Sequence, residues 1–446
     1  MRYMPTGQYA EEMHGELEEG AGFDGINYWG VDPSGYPTLE KFEDAESDQA
    51  IETLLTDRWL RPGDLQGVTV VRSSPQDTVL RINERGSSLA ESIDIDSHTW
   101  LPKSGSFRTH SGTVKIFLSG WSSVGGEKAP FHSVVNDGGA LITRNFRRSS
   151  TSLVASRQAY VMPKKLPREA SYDAALPPQV ETRGLGGVVF VHPLINGRDV
   201  GWFILDSCAG SMMIDEKAAD SLSLSKFGGT AVTGVGGTIV EPFRRASELE
   251  LGPARMRNVL FCQMDASFLG DAFGRPIGGI VGSDVLKRFV VSIDVQRPSV
   301  AIYDRDVFRL RLGGAWEPLT FVDGDPAIEA AFDGNRHGLF HLDTGSIYPV
   351  TFESPFVKAA HLLANRRGAS ISATGFGGSA SICFGKLDWL KLGGRRFSGI
   401  NCGYSLTSSG ALAMKDVIGV IGIPMMSSFN IVFDFGGNRV AFLPSA

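Results

Sequence analysis

An internal repeat constrains this chain more than any other feature. The run Phe340-His341-Leu342-Asp343-Thr344-Gly345-Ser346 has an earlier, degenerate copy in Phe203-Ile204-Leu205-Asp206-Ser207-Cys208-Ala209-Gly210-Ser211. In both, an apolar stretch leads directly into Asp-(Ser/Thr). Thr233-Gly234-Val235-Gly236-Gly237 and Gly279-Ile280-Val281-Gly282 follow the first copy; Thr374-Gly375-Phe376-Gly377-Gly378 and Gly419-Val420-Ile421-Gly422 follow the second. Asp206 precedes Gly234 by 28 residues and Gly282 by 76, while Asp343 precedes Gly375 by 32 and Gly422 by 79. Landmarks kept in one order, twice, are the signature of a duplicated small domain.

Local signals agree. Gly187-Val188-Val189-Phe190-Val191 and Ile195-Asn196-Gly197-Arg198 read as a hairpin turning on Asn-Gly, feeding a strand Gly201–Leu205 that ends at Asp206. The second copy repeats this as Ala327–Phe332, a turn at Asp333-Gly334-Asn335, and Gly338–Leu342 before Asp343. Upstream, Pro163-Lys164-Lys165-Leu166-Pro167 and Leu176-Pro177-Pro178 mark a linker, because proline holds itself and its predecessor extended. The expected organisation is therefore a β-rich domain over 1–160, a linker over 161–184, a first repeat over 185–312 and a second over 313–446.

The opening domain shows turn chemistry at Gly22-Phe23-Asp24-Gly25 and Trp29-Gly30-Val31-Asp32-Pro33-Ser34-Gly35. One helix is expected within 41–60, where Ile51, Leu54 and Leu55 fall at helical spacing. An antiparallel meander follows, over Val68–Val71, Thr78–Ile82, Ile93–Ile95, Thr113–Leu118 and Leu141–Asn145.

With 446 residues, of which 42% are hydrophobic, the chain can bury sizeable cores. A formal charge of −6 without a long Lys/Arg run argues against a nucleic-acid partner, since neutralising phosphates needs clustered cations. No apolar run approaches the 18 or so residues of a membrane span. Met1-Arg2-Tyr3-Met4-Pro5-Thr6-Gly7 lacks the apolar region of a secretory signal, so either the protein stays inside or this start is not the native one. Cys208, Cys262, Cys383 and Cys402 form no Cys-x-x-Cys pair, and neither a metal nor a cofactor is expected. Cys262 and Cys402 lie 56 and 59 residues after the two Asp residues, which suggests equivalent strand positions; buried thiols are preferred over a disulfide there.

The order of parts over about 185–442 resembles the aspartic peptidases, and more closely their retropepsin-like branch: Asp-Thr-Gly, a glycine-rich flap, then apolar-apolar-Gly before a short helix. No Tyr stands near either flap tip, which also favours that branch over the pepsin-like one. The resemblance implies a mostly β fold of two acid-protease β-barrel lobes in tandem. It also implies a catalytic dyad of Asp206 and Asp343. Ser207 and Thr344 would bond across the lobe interface, and Gly345 would let its N–H approach a carboxylate. Gly234, Gly236 and Gly237, with Gly375, Gly377 and Gly378, would form flaps that close over a peptide or protein substrate. With both halves in one polypeptide, no dimer is needed. The opening domain is similar to a curved lipoprotein-carrier sheet found upstream of some bacterial retropepsin-like proteins. That likeness is carried by Phe23-Asp24-Gly25 with Trp29, by Asp96-Ser97-His98-Thr99-Trp100-Leu101-Pro102, and by Val124-Gly125-Gly126 leading to Ala129-Pro130-Phe131. It implies export to the periplasm or beyond, and a domain that begins before residue 1.

The chemistry behind the dyad is long established for aspartic peptidases: two carboxyls about 3 Å apart cannot both ionise, so the pair holds one proton. Its ionised member activates water and its protonated member polarises the scissile carbonyl. Such a pair titrates as a unit, so the proton belongs to neither Asp206 nor Asp343 alone. One departure stands against this reading, because Cys208 occupies the place of the family's Gly. The alternative is a catalytically impaired binding protein on a protease scaffold, with a peptide or lipid ligand; a third is an envelope protein with neither role. Cys208 as a nucleophile would need a positioned His, and neither His192 nor His337 has a spacing that supplies one. His341, on the strand before Asp343, reads as a packing or hydrogen-bonding group.

Overall fold

A computed structural model describes residues 2–3, 7–14, 17–56, 58–60, 63–124, 127–146, 157–163, 170–311, 314–363 and 370–445. Lys164–Pro167 of the expected linker and the Gly125-Gly126 pair lie outside the described residues. The chain divides into two compact units: 1–165 with 229–233 and 238–240, and 166–228 with 234–237 and 241–446.

The first unit is antiparallel throughout. A five-stranded sheet runs in chain order from Arg2–Tyr3 to Pro37–Glu40, and a seven-stranded sheet from Leu65–Ser73 to Ala140–Asn145. Alternation writes the second sheet: along Thr113–Ser119 every second side chain is buried, giving one apolar and one wet face. The α-helix Phe42–Leu55 covers the apolar face, where Ala50, Leu54 and Leu55 join Ile82, Ile93, Phe107 and Ile116 in a core. Gly105 makes room for it, since a Cβ there would lie 2.2 Å from Leu54 Cδ1. Each expected strand of the meander is present. Pro102–Arg108 and His132–Asp137 complete it, two strands whose Ser, Gly, His and Asn content hides them from a pattern search.

The second unit carries the repeat. Phe203–Leu205 runs parallel to Gly279–Val281, as Arg336–Asp343 does to Gly419–Gly422. Met212–Asp215 is parallel to Ala254–Met264, as Val350–Phe352 is to Arg395–Ser405. A hairpin of Lys226–Gly234 and Gly237–Leu251 matches one of Ser370–Gly375 and Gly378–Leu392. The short helices Ser283–Arg288 and Ile423–Met426 follow the two apolar-apolar-Gly strands. Val290–Asp294 of one half pairs antiparallel with Phe429–Asp434 of the other, at the middle of a six-stranded sheet. One hydrophobic core spans both halves, with Leu205, Phe261 and Val281 beside Phe340, Leu342, Phe352 and Ile421. The mostly β class expected from the sequence is the class found.

Two local expectations are corrected. Val188–Val191 does not pair with the segment after it but lies between Thr182–Leu185 and Phe203–Leu205. Pro193 interrupts the run, and the Asn196-Gly197 turn, both residues at positive φ, closes the smaller hairpin of Leu194–Ile195 and Arg198–Asp199. The expected linker also carries strands: Ala170–Tyr172 pairs with Ala254–Met264, and Gln179–Val180 with Ser299–Tyr303.

Polar interior groups make the first unit sensitive to pH. Glu84 and Glu91 are each 1% exposed. Burial, with the facing charge of Glu84, pushes Glu91 up to about 9. A carboxyl protonated in the fold but ionised at its ordinary value when unfolded contributes stability below about pH 4.5 that is lost as pH rises towards 9. The thermal midpoint of the chain, followed by circular dichroism, is expected to fall between pH 5 and pH 9. Glu91→Gln should flatten that fall and raise the midpoint at pH 8.5 by about 3 °C; equal slopes in both chains would refute it.

Candidate active site

Asp206 follows the strand Phe203–Leu205 and Asp343 ends the strand Arg336–Asp343, each beside its parallel neighbour. Asp343 pairs with Gly422, the residue 79 positions on, and Asp206 N–H donates to Val281 O at 3.0 Å. Gly282 and Gly422 are needed for this threading, because a Cβ would lie 2.2 Å from Ser211 O and 2.0 Å from Tyr348 O.

Four hydrogen bonds lock the two Asp loops together. Ser207 Oγ donates to Leu342 O at 2.6 Å and accepts from Thr344 N–H at 2.9 Å. Thr344 Oγ1 donates to Leu205 O at 2.8 Å and accepts from Ser207 N–H at 2.9 Å. A hydroxyl suits this place because it donates and accepts at once. Both side chains are 0% exposed, so every one of these bonds satisfies groups that have left water.

The arrangement brings the carboxyls of Asp206 and Asp343 into hydrogen-bond contact with each other. Asp206 Oδ1 accepts from Cys208 N–H at 2.9 Å; Asp343 Oδ1 accepts from Gly345 N–H at 2.7 Å and Ser346 N–H at 3.0 Å. Burial raises both carboxyls above the ordinary range, and at Asp343 the charge of Asp206 adds to burial. The backbone N–H groups act the other way and favour the charged form. Such a pair can hold one proton between two oxygens and present a base and an acid to the same point.

Cys208 and Gly345 are equivalent in position but not in surroundings. A Cβ at Gly345 would lie 2.4 Å from Asp206 Oδ2. Cys208 is accommodated, its N–H bond to Asp206 intact and its thiol donating to Leu342 O at 3.5 Å. Burial and the charges of Asp325, Asp343 and Asp206 push that thiol's pKa well up, so it stays S–H and does not supply a nucleophile.

The two glycine-rich stretches are hairpin tips, and the tips meet. Gly236 N–H donates to Phe376 O at 3.0 Å. The approach demands glycine, since a Cβ on Gly236 would sit 2.1 Å from Gly378 C, and one on Gly377, at φ +76°, 2.4 Å from Gly237 O. Gly234 and Gly375 stand at the ends of the incoming strands.

His337 and His341 are four residues apart, but on an extended strand, with His337 exposed and His341 buried. Among the described residues no group of three His, Cys, Asp or Glu side chains is arranged to hold a metal. Cys262 and Cys402 take equivalent places, opposite Met213 and Val350, as buried thiols rather than a disulfide. Asp325, which belongs to no sequence motif, is a third carboxyl near the pair. Its signal was the turn at Asp333-Gly334-Asn335, from which counting outwards reaches Asp325 on one strand and Asp343 on the other.

Among known proteins, a family described as aspartyl protease has a sequence profile matching residues 191–285. Basic 7S globulin from soybean, a solved structure, is similar at 10% identity over 62% of this chain and 96% of its own, with a TM-score of 0.38. A retropepsin-like aspartic protease from Rickettsia conorii is similar at 17% identity over 30% of this chain and 96% of its own, with a TM-score of 0.22. A search of curated proteins found no match. In sequence, then, the segment from 191 to 285, which contains Asp206 and the first glycine-rich hairpin, is like the aspartyl proteases.

Proposed function

We propose that this chain is an aspartic endopeptidase whose dyad is Asp206 and Asp343, one from each half of the repeat. The observation that carries this reading is the mutual hydrogen bond of two half-buried carboxyls, each held by a backbone N–H two residues further on. The ionised carboxyl takes a proton from a water lying between the two, and the water oxygen attacks the scissile carbonyl carbon. The protonated carboxyl donates to the carbonyl oxygen as it becomes tetrahedral. Collapse returns the carbonyl, breaks the C–N bond and passes a proton to the leaving nitrogen, restoring a singly protonated pair. Ser207 and Thr344 support the dyad by fixing the distance between the loops, and the paired tips around Gly236 and Gly377 act as flaps that cover the substrate. Both carboxyls come from one polypeptide, so the monomer is the active form. Export to the periplasm or outside the cell would suit such a peptidase.

A second reading, a binding protein for peptides or lipids, is favoured by Cys208. The bond from Cys208 N–H to Asp206 weighs against it, because the side chain has not displaced the carboxylate's donor.

Hydrolysis of a mixed peptide library between pH 3 and 8 tests the proposal. Asp206→Asn and Asp343→Asn should each lower kcat/KM by about a thousandfold, and retention of wild-type activity in either would remove it from the dyad. The two loop positions should respond unequally: Cys208→Gly is expected to change kcat by less than about threefold, while Gly345→Ala, forcing a Cβ against Asp206, should cost about a hundredfold. In a binding protein, a statine-type transition-state mimic would bind the wild type and Asp343→Asn alike; a working dyad predicts much tighter binding to the wild type.

A further inference from the structure

The two halves depart from one another at two places beside the carboxyl pair, and the departures adjoin. In the first half, extending the register of Val188–Val191 against Phe203–Leu205 sets Val188, a buried apolar residue, opposite Asp206. In the second, Asp325–Phe332 and Arg336–Asp343 are antiparallel, with Phe332 opposite Arg336 and Ala327 opposite His341. Extending that register by two positions sets Asp325 opposite Asp343, and Asp325 feels the charges of both Asp206 and Asp343. Directly opposed residues of an antiparallel pair have Cα atoms about 4.5–5.5 Å apart and side chains on one face. The face is identified by burial: Ile328, Ala330 and Phe332 join Phe340 and Leu342 in the hydrophobic core, so Asp325, Ala327, His341 and Asp343 project from the other side. Cys208, the second departure, feels the charge of Asp325 ahead of those of Asp343 and Asp206.

From this geometry we propose that Asp325 is a third, positioning carboxyl of the site, which keeps the Asp206–Asp343 pair singly protonated as pH rises. The inference rests on the reading of Asp206 and Asp343 as a dyad. The groups facing Asp325 are Asp206 and Asp343 at the two strand ends, the neutral thiol of Cys208, Asp323 in the preceding turn, and Lys287 on the helix Ser283–Arg288. One ammonium among four carboxylates leaves the site acidic. Burial and the three neighbouring carboxylates hold Asp325 above the ordinary range, while Lys287 pulls it down. Once Asp325 ionises, its charge opposes removal of the last proton from the pair, so the pair becomes doubly ionised only at higher pH. At low pH Asp325 is itself protonated and exerts no such field.

The pH profile of kcat/KM for peptide hydrolysis by the full chain reads this directly. Asp325→Asn should move the alkaline limb to lower pH by about one unit and leave the acid limb in place, and Asp325→Glu should restore it. A role confined to folding would lower activity without moving the limb. An alkaline limb unmoved in Asp325→Asn, or not restored by Glu, overturns the proposal. A carbonyl-region NMR titration of chain labelled at the aspartate carboxyl carbon separates failure here from failure of the peptidase reading. If nothing is hydrolysed but the upper midpoint of the Asp206–Asp343 pair falls in Asp325→Asn, the electrostatic role stands without catalysis; an unmoved midpoint overturns it. Should the Asn variant fail to fold, the wild type decides: Asp325 titrating together with the pair supports the role, and Asp325 titrating alone near 4 overturns it.

Discussion

Everything at the candidate site depends on the reciprocal bonding of Ser207 and Thr344. Two carboxyls that repel each other when charged have to be held at a distance where repulsion costs several kcal/mol if water is excluded. Nothing in the carboxyls themselves holds that separation. Each hydroxyl is instead tied at both ends to the opposite loop's backbone, in a place with no exposure, where breaking one bond strands two buried polar groups. The strands behind them are fixed in turn by a shared core and by the pairing of Val290–Asp294 with Phe429–Asp434. Architecture on the scale of the whole unit thus ends in a spacing defined by two hydroxyls.

The electrostatics follow from that placement. Burial drives both carboxyls towards the neutral form, and the N–H groups of Cys208, Gly345 and Ser346 drive them towards the anion. Neither tendency alone makes a useful pair: unopposed burial would protonate both members, and unopposed hydrogen bonding would encourage both to ionise. One proton shared by two carboxyls lies between these limits.

Much of this was legible in the sequence, for reasons that can be named. The separation of Asp343 from Gly422 is the separation of two residues paired on adjacent parallel strands, so a fixed count along the chain recorded a contact in space. The tips at Gly236 and Gly377 could be recognised because close backbone approach excludes every other residue type. Legibility failed where composition and role part company. Pro102–Arg108 carries Ser and Gly where a strand search wants β-branched residues, and its place in the sheet is set by neighbours on both sides. Val188–Val191 was assigned the wrong partner because the Asn-Gly turn next to it belongs to another hairpin. Asp325 belongs to no motif, and only the strand register, carried two positions past its last pair, sets it opposite Asp343.

Two matching sets of strands within a single chain have a consequence for what the site can become. Where two identical subunits meet on a twofold axis, each residue appears twice, and an acidic or bulky group introduced beside one carboxyl is imposed on the other as well. Here the halves share one backbone and one core, yet each position mutates once. Cys208 can occupy a loop whose counterpart tolerates only Gly345, and an acidic residue can face one strand end while Val188 faces the other. Two matching halves on one chain are thereby free to differ residue by residue, and the two carboxyls need not be chemically the same.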